Sequence, residues 1–472
     1  MLKNRSTEDI HALLFRLLCI FIILQPVFDV LSQMDVRGYL PFGISTYVKP
    51  LFAGLLNIVL VFLYRKQFWR CAVPYGLFAA FAAVHLFLLH RLAIDLSTIL
   101  HEARFMINLL YMLILYHDFR ILYQQTDNKK LFAAKLTESL VFCFGLYLAL
   151  YLLAVITGTS GMTYEYADAA KLGFKGWFHS GQIFGHALCI CLPFLVCVLL
   201  NNKCQKAWLR ILCKLSVAIP VLVLCLIGTK VSFYIPIIVL GAQVVLELFF
   251  AIRDKDRSHA LNALICAVCV AACLLAYPHT AVYHNTRIND ITLADKYDKD
   301  ELEIFIAKER EKHLSVNLGD RSWTEKALSV LEAKYRNEEL HPSEMRNRQL
   351  YFTSVKFREA PLLYKLFGIG YLHQLDMAIE RDVMCVLFCF GIFGFLLMLL
   401  RPILLWLQAA WSILKKLLKT DLPTLCLFEA FSMFFFISWY AGATFIYTQF
   451  SIFLVILISL LQYHVDHAKM TP

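Results

Sequence analysis

The chain has 472 residues, of which 60% are hydrophobic and only 17% are charged, and its formal net charge is +10. Soluble domains are about 45–50% apolar and about 25% charged, so this composition excludes an ordinary soluble protein and indicates a membrane protein. Its cations lie mostly in short loops between apolar runs, the arrangement that orients membrane proteins. The positive charge therefore does not indicate nucleic-acid binding.

Apolar runs of about 18–22 residues recur along the chain, which is the length that crosses roughly 30 Å of hydrocarbon as an α-helix. They predict an all-α, polytopic membrane protein with about twelve transmembrane helices. The first run is too long for a typical signal-peptide core and no cleavage motif follows it, so we expect an uncleaved span. The predicted spans are 13–32, 46–64, 71–90, 104–118, 136–157, 182–200, 208–228, 231–251, 259–278, 382–401, 423–441 and 444–463.

Charge alternates between successive loops, and cation-rich loops stay in the cytoplasm. This rule places both termini in the cytoplasm and the long polar stretch outside. We therefore divide the chain into helices 1–9 (1–278), an extracytoplasmic helical loop (279–380) and helices 10–12 (381–472). Tryptophans and lysines near 403–418 predict an amphipathic helix that lies at the inner membrane interface.

The long loop is predicted to fold into helices that form a cap. "WTEKALSVLEAKYR" (323–336) has apolar residues at helical spacing. "RQLYFTSVKFREAP" (348–361) places Phe352 and Val355 on one helix face and ends at Pro361.

The first candidate for chemistry is the loop that leads into the sixth span, "GFKGWFHSGQ" (173–182). Its glycines allow close backbone approach, Lys175, His179 and Gln182 offer hydrogen-bond donors, and Trp177 suits a sugar ring. The alternative interpretation is an aromatic belt at the membrane surface, which is common.

The second candidate is Lys230 in "LIGTKVSFYIP" (226–236), between two apolar runs on the outer side. A cation in such a position is costly and usually faces a cavity or a partner. The alternative is a lysine that extends to the surface from a tight turn. Thr229 and Ser232 add polar groups beside it, which favours a functional role.

The third candidate is the basic group of "MRNRQLYFTSVKFR", which comprises Arg346, Arg348, Lys356 and Arg358. The planar guanidinium fork matches phosphate oxygens. For any single arginine, a solvated helix face paired to nearby acids is the simpler interpretation; for the group, phosphate binding is favoured.

The fourth candidate is "KLFGIGYLHQ" (365–374) with the acids that follow it. A lone Gly-x-Gly without a βαβ context does not indicate a nucleotide fold, so we interpret the glycines as a tight turn. His373 has a side chain that titrates near neutral pH and suits a base. Glu380 and Asp382 precede the tenth span, where acids either stabilise a helix N-terminus or activate a hydroxyl.

Two motifs that the sequence lacks narrow the class of protein. The sequence has no GxxxxGK[ST] motif, which argues against an ATP-driven pump. Cys266 and Cys269 lie inside a span without a second pair or histidines at zinc spacing, so we expect no metal site.

In this order the motifs resemble the O-antigen ligase and O-antigen polymerase superfamily of bacterial envelope proteins, in the form found in Gram-positive bacteria. The resemblance covers most of the chain and rests on "GFKGWFHSGQ", "GTKVSFYIP", "LFGIGY" and "IERDVMCVLFCFGIFGFLL". It implies a glycosyltransferase of the plasma membrane that needs no nucleotide, metal or other cofactor. The donor would be a polyprenyl-diphosphate-linked glycan, the acceptor a second glycan, and membrane lipid, a flippase or a chain-length regulator would be further partners.

The resemblance also implies site residues. Such ligases use a basic residue at the outer end of a span, where this chain has Lys230 in place of arginine. They use a loop arginine in an R-x-x-x-L context, which fits Arg346 with Leu350, although Arg348 remains an alternative. They use a histidine after the loop, which is His373 by location, and Glu380 is an alternative base. Lys175, Trp177, Gln182, Arg358 and Asp382 are the further candidates for substrate binding.

Three classes of function remain open from the sequence. Polymerase and ligase share this chemistry and differ in the acceptor, and we place the polymerase first. A lipid-linked oligosaccharide flippase or another secondary transporter would show internal repeats with broken helices, and we see no clear repeat. A sensor or scaffold would use the cap to bind a partner.

Overall fold

The computed structural model of the protein is almost entirely α-helical. It describes residues 2–36, 44–92, 96–164, 171–202, 204–294, 298–316, 321–370, 379–442, 444 and 448–470. The all-α, polytopic membrane fold predicted from the sequence is confirmed. The described residues contain ten helices that are long and apolar enough to cross a membrane, together with one bent apolar pair and one shorter apolar helix.

The apolar helices overlap every predicted span. The bent pair is α1 and α2, which meet at an angle of 50°, and α3 is the shorter helix. The bundle before the cap comprises α1 (Leu2–Ile23), α2 (Gln25–Val36), α3 (Ile44–Leu63), α4 (Phe68–Arg91), α5 (Leu96–Gln125), α6 (Lys129–Ile156), α7 (Gly181–Leu200), α8 (Ala207–Leu215), α9 (Ala218–Ile227), α10 (Lys230–Asp254) and α11 (Arg257–Ala276). After the cap follow α17 (Asp382–Lys415), α18 (Leu422–Tyr440) and α19 (Thr448–Met470).

In the described part of the chain, the cap consists of five α-helices between α11 and α17. They are α12 (Ala281–Ala294), α13 (Lys299–Val316), α14 (Arg321–Arg336), α15 (Met345–Glu359) and α16 (Leu362–Phe367). The two helices predicted from the loop sequence are confirmed as α14 and α15. The cap has its own small core, in which Ile306, Leu331 and Phe352 are buried together.

The helix α17 departs from the prediction of a span followed by a separate interfacial helix near 403–418. Residues 403–415 instead continue the same helix, with Pro402 inside it. Proline is tolerated within transmembrane helices because neighbouring groups satisfy the freed backbone. A different break lies nearer the cap, where Gly391 has non-helical angles of φ 70° and ψ −174°.

Residues 366–370 form backbone hydrogen bonds with α17 at this break. The Ile369 amide donates to the Phe388 carbonyl at 3.1 Å and the Gly370 amide donates to the Cys389 carbonyl at 3.0 Å. Gly368 and Gly370 have φ values of 97° and 84°, and a Cβ on Gly368 would overlap the Cys389 carbonyl. The motif predicted as a tight turn therefore pairs backbone to backbone with α17. We call these paired segments, 366–370 and 388–391, the backbone clasp.

A buried side-chain pair supports the backbone clasp from the other side. His85 on α4 donates from Nδ1 to the Phe367 carbonyl at 2.6 Å, and its Nε2 lies 2.8 Å from Glu102 Oε1 on α5. Both side chains are almost fully buried. This pair joins α4, α5 and the end of the cap at one point.

Candidate functional site

The N-terminal turn of α15 meets the segment that precedes α17, and a cation contacts a carboxylate there. Arg346 Nε lies 2.5 Å from Glu380 Oε2. One residue further along each segment, Arg381 donates to the Asn347 side-chain oxygen at 3.2 Å. About 40% of each ion-pair side chain remains exposed. The pair is therefore held in place and still accessible.

Two ring side chains, one from the loop before α7 and one from α7 itself, lie within electrostatic range of Arg346. His186 is only 1% exposed, hydrogen bonds the backbone of Gly442, and lies close enough to Arg346 for their charges to interact. Its Nδ1 has no hydrogen-bond partner among the described residues. Burial raises the pKa of Tyr164 above its ordinary value, and the nearby guanidinium of Arg346 opposes this shift. Arg346 thus contacts a carboxylate and has an imidazole and a phenol within electrostatic range.

The loop between α18 and α19 closes one side of this group. Gly442 has a φ of 70°, and a Cβ there would overlap the Glu380 carbonyl. Asp382 is fully buried and accepts hydrogen bonds from the amide and the hydroxyl of Thr444. The Thr444 hydroxyl also contacts that of Ser438 at 2.7 Å. Asp382 therefore joins the start of α17 to this loop.

A small hairpin joins two of the sequence motifs. Its strands, β1 (Gly161–Met162) and β2 (Phe174–Gly176), pair antiparallel. The Thr163 hydroxyl donates to the Ile227 carbonyl at 2.8 Å, just before the α9–α10 turn. The side chain of Asn285 on α12 accepts a hydrogen bond from the Leu172 amide and donates one to the Leu172 carbonyl. It also donates to the Gly228 carbonyl at 2.9 Å. The segments "GFKG" and "LIGTK" are thus in direct contact.

Lys230 lies at the first position of α10, beside the start of α7. Thr229 caps α10 by accepting from the Ser232 amide at 3.2 Å. A Cβ on Gly185 would overlap the Ser232 hydroxyl, so the two helix starts touch directly. Lys230 is exposed, and its charge adds to the positive end of the α10 dipole. This end of α10 favours an anion.

The remaining candidates in the first motif take different positions. Lys175 is buried in β2, and a Cβ on Gly181 would lie 3.2 Å from the Lys175 Cβ. Trp177 donates from its indole to the Thr159 hydroxyl at 2.8 Å. Gln182 is half-buried in the first turn of α7, which Ser180 caps. These side chains lie around the N-terminus of α7.

The other basic residues of α15 lie apart from Glu380. Arg348 is 8% exposed and its guanidinium lies 3.7 Å from Glu309 in the cap. Arg358 is largely exposed and pairs with Glu359 at 3.4 Å. Residues two apart on a helix do not share a face, so Arg346 and Arg348 point to different surroundings. His373 lies outside the described residues.

Several polar groups that the sequence analysis did not select are buried in the bundle. His186 appears in an apolar run, "GHALCIC", which reads as helix core. Lys49 lies 2.5 Å from Asp29, which also accepts from the Tyr147 hydroxyl, and the lysine and aspartate are nearly fully buried. Intramembrane charges of this kind usually mark functional positions. The signal available in the sequence was a charge inside an apolar run.

The group around Arg346 contains the elements of anionic leaving-group chemistry. A guanidinium can stabilise phosphate oxygens, and a carboxylate or imidazole can accept a proton from a hydroxyl. No group of three or more His, Cys, Asp or Glu side chains that could hold a metal ion occurs in the part of the chain that the structure describes.

Comparison with known proteins gives one strong match. The family model described as O-antigen ligase like membrane protein matches residues 12–467, which is nearly the whole chain. No curated protein matches the chain.

Proposed function

Because the chain belongs to the O-antigen ligase-like family of membrane proteins, we propose that it extends a cell-surface polysaccharide from polyprenyl-diphosphate-linked units. Membership supports polysaccharide-related glycosyl transfer as the general activity. In our proposal the reaction takes place at the cap side of the bundle, on the outer face of the bacterial plasma membrane. The short loops on that side hold few cations, which supports this orientation.

The observation that carries the proposal is the position of Arg346, next to Glu380 and within electrostatic range of His186 and Tyr164. When the bond between the anomeric carbon and the diphosphate oxygen breaks, negative charge develops on the departing lipid diphosphate. Arg346 would stabilise this charge, with Lys230 as a second cation at the neighbouring helix start. Preorganised charge of this kind is usually the largest contribution to such transfers.

The acceptor hydroxyl must lose a proton as its oxygen bonds to the anomeric carbon. We propose that Glu380 or His373 accepts this proton. Glu380 is half exposed, so an acceptor hydroxyl can reach it, and proton transfer to a positioned side chain typically contributes about 10²–10⁴-fold. His186 would hold the α18–α19 loop through Gly442, and Asp382 would hold the same loop through Thr444.

Of the two loop arginines, we propose Arg346 for the diphosphate. Arg348 is buried beside Glu309 and Tyr335 inside the cap, so its role would be to stabilise the cap. Arg358, Lys175, Trp177 and Gln182 would contact the glycan chains rather than the reacting atoms.

The test compares single substitutions in a strain whose own copy of the protein is deleted. We expect Arg346→Gln to leave single-repeat lipid-linked intermediates, while the protein still inserts at wild-type abundance. Arg321→Gln is the matched control, because Arg321 is an exposed cap arginine that pairs with Glu325 within its own helix. Full-length polymer from Arg346→Gln would refute the site.

The glycan profile of the deletion strain separates the alternatives. A polymerase leaves single-repeat intermediates, whereas a ligase leaves full-length glycan on its lipid carrier. A flippase leaves lipid-linked units on the cytoplasmic face. A scaffold leaves chain length unchanged, which would contradict an enzymatic role.

A further inference from the structure

A cavity of about 480 Å³ lies between α5, α6, α17 and α19, far from the site described above. Glu102 marks the cap side of α5, and Arg120 follows it by eighteen residues on the same helix. At 1.5 Å per residue the two positions are about 27 Å apart. The cavity is therefore at the opposite end of the bundle. Its polar and charged lining includes Tyr116, Arg120, Lys129, Arg401, Gln462 and Asp466.

The cations of this cavity outnumber its acids by three to one. Among the described residues, Arg401 binds only neutral groups, the Tyr116 hydroxyl at 3.1 Å and the Gln462 side-chain oxygen at 3.4 Å. Lys129 donates to the Tyr123 carbonyl at 3.0 Å. The single carboxylate, Asp466, accepts from Gln462 and Tyr123 instead. Over the described residues, neither arginine nor the lysine has a carboxylate partner.

Arg401 makes this imbalance unusual, because it is the only charged residue between positions 383 and 414 of α17. Its side chain is exposed on an otherwise apolar helix. An exposed charge on such an apolar helix is costly in a membrane, and charges of this kind normally find a partner. A guanidinium with neutral neighbours and an open side has room for a phosphate.

The walls of the cavity indicate where the phosphate comes from. Phe119 and Ile458 form apolar wall beside the cations, and acyl chains would pack there while a headgroup meets the charges. Basic pockets between transmembrane helices are known to bind anionic lipid headgroups. We propose that this cavity binds the phosphate headgroup of an anionic phospholipid from the leaflet opposite the cap. Such a site is separate from the glycan site and does not depend on the proposed reaction.

The experiment uses the full-length protein, delipidated in detergent and then titrated with phosphatidylglycerol or phosphatidylcholine, with bound lipid counted by native mass spectrometry. We expect the wild type to prefer phosphatidylglycerol. Arg401→Gln should weaken that binding by about tenfold, since one charge-assisted hydrogen-bond donor is lost. Lys129→Gln, at the start of α6, should also weaken the binding of phosphatidylglycerol. This second variant keeps the test valid if Arg401→Gln fails to fold.

Arg210→Gln is the matched control, because Arg210 is an exposed arginine on α8 that does not line the cavity. It should bind lipid like the wild type. Equal binding of both lipids, or unchanged binding in Arg401→Gln and Lys129→Gln, would overturn the proposal. Displacement of phosphatidylglycerol by millimolar inorganic phosphate would also overturn it, in favour of a soluble anion.

Discussion

Substitution of Gly368 by alanine should open the backbone clasp without unfolding the bundle. Gly368 has φ 97° and ψ 158°, a region that essentially only glycine occupies and that costs other residues about 1–3 kcal/mol. The added methyl group would also overlap the Cys389 carbonyl. Relief of that overlap requires segment 366–370 to move away from α17.

The cost of this movement follows from the bonds that it breaks. Two backbone hydrogen bonds join the segments, at 3.1 Å and 3.0 Å, and each contributes about 0.5–1.5 kcal/mol. The wild type and the variant both lose these bonds on opening, so the substitution changes the opening equilibrium through the backbone strain, by about 1–3 kcal/mol before the overlap is counted. A central value of about 2 kcal/mol corresponds to roughly a thirtyfold change in the opening equilibrium.

Hydrogen exchange measures this opening directly at the amides of Ile369 and Gly370. Their protection should fall by at least about thirtyfold in Gly368→Ala. Gly158→Ala is the control, because Gly158 also has a positive φ, 68°, but a Cβ there would meet nothing within 4 Å. Unchanged protection in Gly368→Ala, or an equal loss at Ile369 in Gly158→Ala, would refute the clasp as the element that holds this segment.

Two further predictions concern buried ionisable groups. A hydrogen bond from His313 lowers the pKa of Glu309, with Arg348 adding to this effect against the opposing effect of burial. Its stabilisation of the cap is therefore present above the ordinary glutamate pKa of about 4.3 and is lost as the pH falls through the lower folded value. Glu309→Gln should remove that acid-induced loss, read from Trp323 fluorescence, and an unaltered acid transition would contradict the assignment. His85→Phe should destabilise the protein by about 3–5 kcal/mol, since it breaks a buried pair, whereas His85→Phe with Glu102→Leu should recover most of the melting temperature; a double variant no better than the single would contradict this.

The sequence was sufficient for the positions of most apolar helices because hydrophobic length is a local property, although it did not predict that residues 403–415 continue α17. It was also sufficient for α14 and α15, whose apolar spacing is regular. It did not distinguish Arg346 from Arg348, because the direction of each side chain depends on how α15 docks against segment 379–382. Only the packed structure places Glu380 beside the first and Glu309 beside the second.

Other features depend on contacts between distant segments. His186 sits in an apolar run, so its proximity to Arg346 is visible only when α7 and the cap are in place. The break at Gly391 is equally hidden, because glycine inside an apolar run is ordinary in membrane helices. The break is explained by residues 366–370, which lie about twenty positions earlier in the chain and bind the free carbonyls of Phe388 and Cys389.

The backbone clasp also determines how freely the cap can change. The attachment uses amides, carbonyls and the absence of side chains at Gly368 and Gly391, so it places little demand on the residues of α13 and α14. A cap of different composition could be grafted between α12 and α15 while residues 366–370 keep their register on α17. The junction could then stay the same between chains of this architecture whose caps differ.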